Sequence, residues 1–372
     1  MINRAYKFRI YPTARQEILL AKTFGCCRFI YNVMLDEKIR EYKETGKRKQ
    51  TTPAMYKGKY PWLKEVDSLA LANVQLHLES SYKKFFRESK AGFPKFKSKH
   101  RSRQSYTTNV VNGNISLTEN KLKLPKLGKV VIRIHREIPE GYVMKSVTIS
   151  KESTGKYFAS ILYQCADSEN QTSVMKTKQA KVLGIDYAMN GMAVFSDGTK
   201  CTYPKYFRKA EEKLAREQRK LSHCKKGGSN YAKQKRKVAL CHEKVRNQRK
   251  DFHHKLSHYL SRREDVIVVE DLDMKSMSQC LHLGKGVMDN GYGMFRDMLD
   301  YKLKEQGKEL IKVDRFYPSS KRCSVCGKIK NELQLSERIY RCDCGNEMDR
   351  DVNAAINIRE EGKRILMARR SA

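Results

Sequence analysis

Asp265-Val-Ile-Val-Val-Glu-Asp-Leu272 decides the fold class. A run as apolar as Val266–Val269 reads as an interior strand, buried on both faces. It ends on Glu270, and an acid at the end of a buried strand is costly unless it is paired, hydrogen-bonded or bound to a cation. Upstream lies a long helical region, Lys205 to about Arg262, broken at Gly227-Gly228. Ahead of that stand two strands, Lys181-Val-Leu-Gly-Ile-Asp-Tyr187 and Met192-Ala-Val-Phe195, with a turn at Asp197-Gly198. Downstream come a helix from about Gly293 to Gln306, the strand Leu310-Ile-Lys-Val313, a cysteine cluster and a closing helix from about Asp351 to Leu366. The order ββ, helices, β, α, β, α is that of an α/β domain.

The front half differs in kind. Tyr6-Lys-Phe-Arg-Ile-Tyr11 alternates and stops at Pro12, a short strand with one wet face. Apolar residues then recur at helical spacing from Ala14 to about Tyr42 and from Ser68 to Arg87. Between Asn109 and Cys165 the period changes to two, with turns at Asn112-Gly113, Gly128 and Gly155, which suggests a small barrel or sandwich. The polar stretch 166–178 reads as a linker.

Lys plus Arg exceed Asp plus Glu by 77 − 41 = 36 in 372 residues, an excess that favours polyanionic partners. Between Lys205 and Lys250 there are 17 Lys or Arg against 4 Glu. The segment Gly92–Tyr106 interleaves cations with aromatics and carries no acid, as a loop lying on phosphates would; a solvated linker is the plainer alternative. Candidate nucleic-acid contacts are Lys7 and Arg9 on the first strand; Phe93, Lys95, Phe96, Lys97, Lys99, Arg101, Arg103 and Tyr106 in the basic loop; and Lys235 and Arg236 in the helical hairpin. No stretch approaches the roughly 20 apolar residues of a membrane span, and the opening residues lack a signal-peptide core, so a cytoplasmic location is expected.

Three acids sit where elements of the α/β half begin or end. Asp186 follows Val182-Leu-Gly-Ile185, Glu270 closes its strand, and Asp351 opens a helix whose Val352-Asn-Ala-Ala-Ile356 is small enough to pack on a sheet. Each alone could be a cap or a salt bridge. Together at one sheet edge they form a site for Mg²⁺ or Mn²⁺, and two such ions suit phosphodiester hydrolysis. Asp271, Asp273 and Asp349 leave the exact ligand open by one pleat or turn. Between Glu270 and Asp351 lie Cys323-x-x-Cys326 and Cys342-x-Cys344, 15 residues apart, each pair followed by glycine. Four thiolates in that arrangement fit one structural zinc ion, although C-x-C is tighter than the usual C-x-x-C. The other cysteines read as core or surface thiols.

Gly184-Ile-Asp186, Val268-Val-Glu270-Asp-Leu272, Tyr317-Pro-Ser-Ser-Lys-Arg-Cys323-Ser-Val-Cys326-Gly327 and Asp349-Arg-Asp351-Val-Asn-Ala-Ala-Ile-Asn-Ile358 resemble, in order and spacing, the TnpB (OrfB) proteins of insertion sequences, compact relatives of type V CRISPR effectors. The resemblance covers essentially the whole chain. It implies an RNase H-like (RuvC-type) nuclease domain at 171–316 and 347–372, with the zinc knuckle inserted at 317–346. It also implies a wedge-like β-barrel at 1–12 and 104–170 that carries a helical recognition lobe at 13–103. The implied function is an RNA-guided DNA endonuclease, one protein chain per guide RNA, cutting double-stranded DNA beside a short element-specific motif. Asp186, Glu270 and Asp351 would then be catalytic metal ligands, and Cys323, Cys326, Cys342 and Cys344 the zinc site. One departure stands out: Ala188 occupies a position where the family commonly has glycine, and a nuclease-weak RNA-guided repressor is the alternative it raises.

Overall fold

The computed structural model describes residues 2–47, 50–89, 91–165, 180–188, 191–280, 284–334 and 336–371, which divide into two compact units, 1–167 and 168–372. The expected linker at 166–178 lies outside the described residues.

In the first unit, β1 (Ile2–Tyr11) leads into α1 (Ala14–Thr45), two 3-10 turns at Pro53–Tyr56 and Pro61–Glu65, and α2 (Ser68–Arg87). Six strands follow: β2 (Gln104–Asn109), β3 (Ser116–Leu117), β4 (Lys121–Leu124), β5 (Gly128–Arg133), β6 (Val143–Lys151) and β7 (Tyr157–Cys165). They pair with β1 in one antiparallel sheet of order β2-β6-β7-β1-β5-β4-β3. Among the described pairings none joins β2 to β3, so the expected barrel has an open ladder. The basic loop also ends earlier than its composition suggested, because Tyr106 and Thr108 turn inward in β2 and are buried.

Thr13 begins α1 with a capping box: its hydroxyl accepts from the Gln16 amide at 3.3 Å while Gln16 accepts from the Thr13 amide at 3.0 Å. Gly46, at φ 68°, ends the helix in the left-handed conformation that glycine tolerates. By length and composition α1 could cross a bilayer, which the sequence reading did not expect. Its apolar face is nevertheless occupied, since Leu20, Phe24, Ile30, Met34 and Leu35 share one core with Leu71, Val74, Leu78 and the sheet residues Phe8, Ile149 and Ile161.

The second unit is built on a five-stranded mixed sheet. Its strands are β8 (Val182–Tyr187), β9 (Ala193–Phe195), β10 (Lys200–Cys201), β11 (Val266–Glu270) and β12 (Glu309–Val313), in the order β10-β9-β8-β11-β12. β8, β9 and β10 are antiparallel neighbours, whereas β8, β11 and β12 run parallel. Between β10 and β11 stand α3 (Tyr206–Ser222) and α4 (Ser229–Arg263); between β11 and β12, α5 (Met274–Cys280), α6 (Gly284–Asn290) and α7 (Tyr292–Lys304). The hairpin of β13 (Ile339–Arg341) and β14 (Glu347–Asp349) precedes α8 (Arg350–Ser371) and carries the cysteine insertion on to Asp349, past the boundary at 346 read from sequence.

Strand alternation explains the apolar run Val266–Val269. Ile267 and Val269 join Leu183 and Ile185 in a core with Leu260 of α4 and Phe295, Leu299 and Leu303 of α7. Val266 and Val268 face the other way, into a core with Ile311, Val313 and Ile358 of α8. Helices on both faces leave no room for polar alternation in β11.

Candidate active site and cysteine knuckle

The site follows from parity and register. Side chains alternate along a strand, so Asp186 shares the α8 face of β8 with Gly184, and Glu270 shares that face of β11 with Val266 and Val268. Val269 pairs with Ile185 in the parallel ladder, so Asp186 and Glu270 come next on adjacent strands. Asp351 lies in the first turn of the helix that crosses this face. Close approach is possible because Gly184 offers no side chain: a Cβ there would collide with the Ala355 carbonyl and come within 2.7 Å of the Arg359 amide nitrogen. Gly362 does the same against Val268.

Burial first, then the charges of Glu270 and Asp351, hold Asp186 well above its ordinary 3.8, and the Tyr187 amide and Arg350 offset only part of this. Burial also raises Glu270, opposed by the Ser319 hydroxyl, which donates to Glu270 Oε1 at 2.5 Å. A buried carboxylate whose proton affinity is raised by two neighbouring acids belongs to a donor set suited to a divalent cation. Tyr292, fully buried on α7, is near enough for Asp186 and Glu270 to push its phenol up after burial has done so.

The neighbouring acids have other employment. Asp271 faces Arg296 at 3.3 Å and Arg315 at 3.9 Å. Asp273 caps α5, accepting from the amides of Lys275 (3.0 Å) and Ser276 (3.2 Å) and from the Ser276 hydroxyl. Asp349 caps α8, with Oδ1 accepting from the amides of Asp351 (3.0 Å) and Val352 (3.2 Å) and Oδ2 held by Lys200 at 2.5 Å. Burial works against the Asp349 carboxylate, but Lys200 and the two amides outweigh it and keep its pKa low. Asp351 makes a longer approach, 3.8 Å, to Arg350 Nε.

The cysteines form a tighter group. Their four Sγ atoms lie within 4.8 Å of one another, the only such set of His, Cys, Asp or Glu among the described residues; the three carboxylates are spaced more widely. Cys323 and Cys344 are 3.7 Å apart and Cys326 and Cys342 3.6 Å, all as free thiols. Tetrahedral sulfurs about 2.3 Å from zinc would be about 3.8 Å apart, so the spacing fits. The short C-x-C pair is accommodated by its turn. Gly345 donates to the Cys342 carbonyl, three residues back, where Gly327 donates to that of Cys323, four back. Both glycines have positive φ, 77° and 87°. Burial opposes ionisation of Cys323, yet the amides of Cys326 and Val325 and the Asn346 side chain bring it down to about 6.

Two residues that sequence reasoning passed over bind the knuckle to the helix carrying Asp351. Asn353 donates to the Arg322 carbonyl (2.7 Å) and accepts from the Ser324 amide (3.0 Å); Asn357 donates to the carbonyls of Ser319 (2.8 Å) and Arg322 (2.6 Å). Both are buried. The available signal was two amides four residues apart on an otherwise small, apolar helix face.

The candidate nucleic-acid contacts of the first unit are not one constellation. Phe93, Lys95, Phe96, Lys99, Arg101 and Arg103 are exposed, with Phe93 also in edge-to-face contact with Tyr82 and Phe85. Lys7 is tied to Glu152 at 2.9 Å, and Arg9 stacks over Tyr11. Lys97 lies 3.9 Å over the Tyr31 ring and, with Arg103 and Tyr106, lines a cavity of about 80 Å³ also bordered by Phe24, Cys27 and His77. Tyr106 is too buried to stack on a base, a correction to the sequence reading. In the second unit, Lys235 and Arg236 are exposed on α4.

Comparison with known proteins adds an independent line. Residues 163–281 match the profile described as "Probable transposase", OrfB of the IS605 type, and residues 292–358 the "Cas12f1-like, TNB domain". Residues 1–47 match a "Helix-turn-helix domain" of the same OrfB series, although here they form a strand and one unbroken helix. A Streptomyces pristinaespiralis protein named "Putative RNA-guided DNA endonuclease" is 35% identical, over 97% of this chain and 90% of its own. InsQ of Escherichia coli K12, which bears the same name, is 32% identical over 98% and 93%. Among solved structures, Cas12f1 in a complex with sgRNA and target DNA superposes with a TM-score of 0.59 at 15% identity, over 96% of this chain and 98% of that one, which is a likeness of fold.

Proposed function

Because this chain belongs to the TnpB (OrfB) family of insertion-sequence proteins, we propose that it is an RNA-guided DNA endonuclease whose catalytic residues are Asp186, Glu270 and Asp351. The observation that carries this reading is the placing of Asp186 and Glu270 at the ends of adjacent strands with Asp351 in the first turn of α8, near enough to raise the proton affinity of Asp186, while Asp271, Asp273 and Asp349 are held in salt bridges and caps. The strand order, antiparallel across β10-β9-β8 and parallel across β8-β11-β12, supports an RNase H-like assignment for the second unit.

In this reading the three acids hold divalent cations, Mg²⁺ or Mn²⁺, one or two in number. Such ions, once bound, supply Lewis acidity at a scissile phosphodiester and lower the pKa of the attacking water. The protein's own part is positioning. Ser319 occupies one lone pair of Glu270 and so fixes its plane. Asp349 and Lys200 fix the first turn of α8, and with it Asp351. The four cysteines hold one zinc ion with no open position, and the closed knuckle presents Ser319 and Arg322 to Asn353 and Asn357. The sheet and helices of the first unit are proposed to contact a guide RNA or its target duplex, and so, taken by itself, is the basic α3–α4 hairpin of the second, sequence choice passing to base pairing.

The repressor alternative drew on Ala188. Its backbone is not left-handed, and its amide donates to the Met192 carbonyl at 3.3 Å, so alanine meets no strain there. The deciding experiment is plasmid cleavage beside a gel shift, using the ribonucleoprotein and a target matched to its copurified RNA. Asp186→Ala, Glu270→Ala and Asp351→Ala should each abolish cutting and keep binding. A wild type that binds and never cuts in Mg²⁺ or Mn²⁺ overturns the endonuclease reading.

A further inference from the structure

Phe316 is the most exposed large apolar side chain among the described residues, at 85%. It is not on a loose loop. It stands in the turn 313–319, and both ends of that turn are fastened beside Glu270. On the entering side Val313 pairs with Glu270 in the β11–β12 ladder, and its carbonyl accepts from the Asp271 amide at 2.9 Å. On the leaving side Ser319 donates to Glu270 itself. Within the turn, Phe316 donates its amide to Asp314 Oδ1 at 2.8 Å and the Tyr317 amide reaches the Asp314 carbonyl at 3.0 Å. The Tyr317 ring anchors the turn to the α8 core, and Arg315 leans on Asp271.

A phenyl ring left bare to water on a turn whose backbone is fastened gains little from its own fold, and the hydrophobic effect favours a flat apolar partner for it. The partner must be one that approaches three carboxylates and their cations, which selects a phosphodiester substrate. Arg315, half exposed next to Phe316 in the chain, supplies charge for its backbone. Nucleobases offer the flat face, and stacking on an aromatic side chain is sequence-tolerant because every base has one.

We propose that Phe316 is a stacking platform for an unpaired base of the DNA strand entering the active site, holding the nucleotide next to the scissile phosphate. The inference rests on the nuclease reading above and adds to it a single-strand subsite at the catalytic turn.

The test uses the ribonucleoprotein and a target duplex matched to its copurified RNA, with 2-aminopurine placed in turn at each nucleotide flanking the cut. In an Asp186→Ala background, which keeps the strand uncut, positions freed from the duplex should brighten on binding except one flanking position, which should stay quenched. Adding Phe316→Ala should relieve that quenching, and Phe316→Trp should restore it. With the acids intact, Phe316→Ala should cut about tenfold more slowly at unchanged target affinity, as loss of one base stack predicts. Substitution of so exposed a ring should leave the melting temperature unchanged. A wild type that cuts beside a Phe316→Ala that cuts equally fast, with no Phe316-dependent quenching, overturns the platform and leaves the nuclease standing. A wild type that binds and never cuts overturns both.

Discussion

At the scale of single residues, acids close in sequence differ by what distant residues do with them. Asp349 and Asp351 are two apart, yet one is a helix cap gripped by Lys200 and the other faces Asp186. The sequence could not separate them, because Lys200 reaches Asp349 only through the fold, just as Arg296 and Arg315 reach Asp271. Two expectations follow. Asp349→Ala should cost about 1 kcal/mol of stability, as a lost cap does, and keep measurable cleavage, whereas Asp351→Ala should lose cleavage; thermal melts beside cleavage rates separate them. The second concerns pH. Folded Asp186 keeps its proton above 3.8, where the unfolded chain has released its own. The folded state therefore binds more protons in that window, and the stability of metal-free protein falls as pH rises through it. Asp186→Asn should melt higher than wild type near about pH 7 without metal, with the gap closing toward about pH 4, where both side chains are neutral. Melting curves across pH, in EDTA, would expose a wrong sign.

Among elements, α8 organises the second unit. It lies against β8 and β11 because Gly184 and Gly362 give it room, and it holds the knuckle through Asn353 and Asn357. Gly184→Ala should cost about 3 kcal/mol, the upper range for forcing a methyl into a packed contact, and disturb the acids on both sides of it. Cys342→Ser should release about one equivalent of zinc by metal analysis and slow cleavage, since a structural metal contributes folding free energy directly to so small a knuckle. Full zinc retention would show that Cys342 is not a ligand. The long elements were legible: α2 was expected at Ser68–Arg87 and is found there, and β11 announced itself by its apolar run. Short ones were not. α5, α6 and the β13–β14 hairpin are too brief to show a period, and β2 hides its inward Tyr106 and Thr108 among polar neighbours. The cysteine cluster was legible by type and spacing, and the three acids were legible as candidates; Ser319, Asn353 and Asn357 were not, because a polar residue that serves a neighbour's geometry looks like any other.

Over the whole molecule, charge dominates. An excess of 36 positive charges repels itself unless a polyanion neutralises it, so the protein should purify with bound RNA, and high-salt nuclease treatment should leave it prone to aggregate. Sequencing that RNA checks the guide: one defined species supports it, and a random mixture counts against it. Lys235→Glu with Arg236→Glu, both exposed on α4, should weaken RNA retention and flatten its salt dependence without changing the melting temperature. Chain order adds a consequence in time. A ribosome delivers Asp186 first, Glu270 some eighty residues later, and Asp351 only after the cysteine hairpin has emerged. Every nascent chain short of α8 thus carries most of its basic surface and no complete set of acids. On the nuclease reading, synthesis itself is a safety catch: the chain cannot assemble the proposed cutting centre until α8, its last element, has been made.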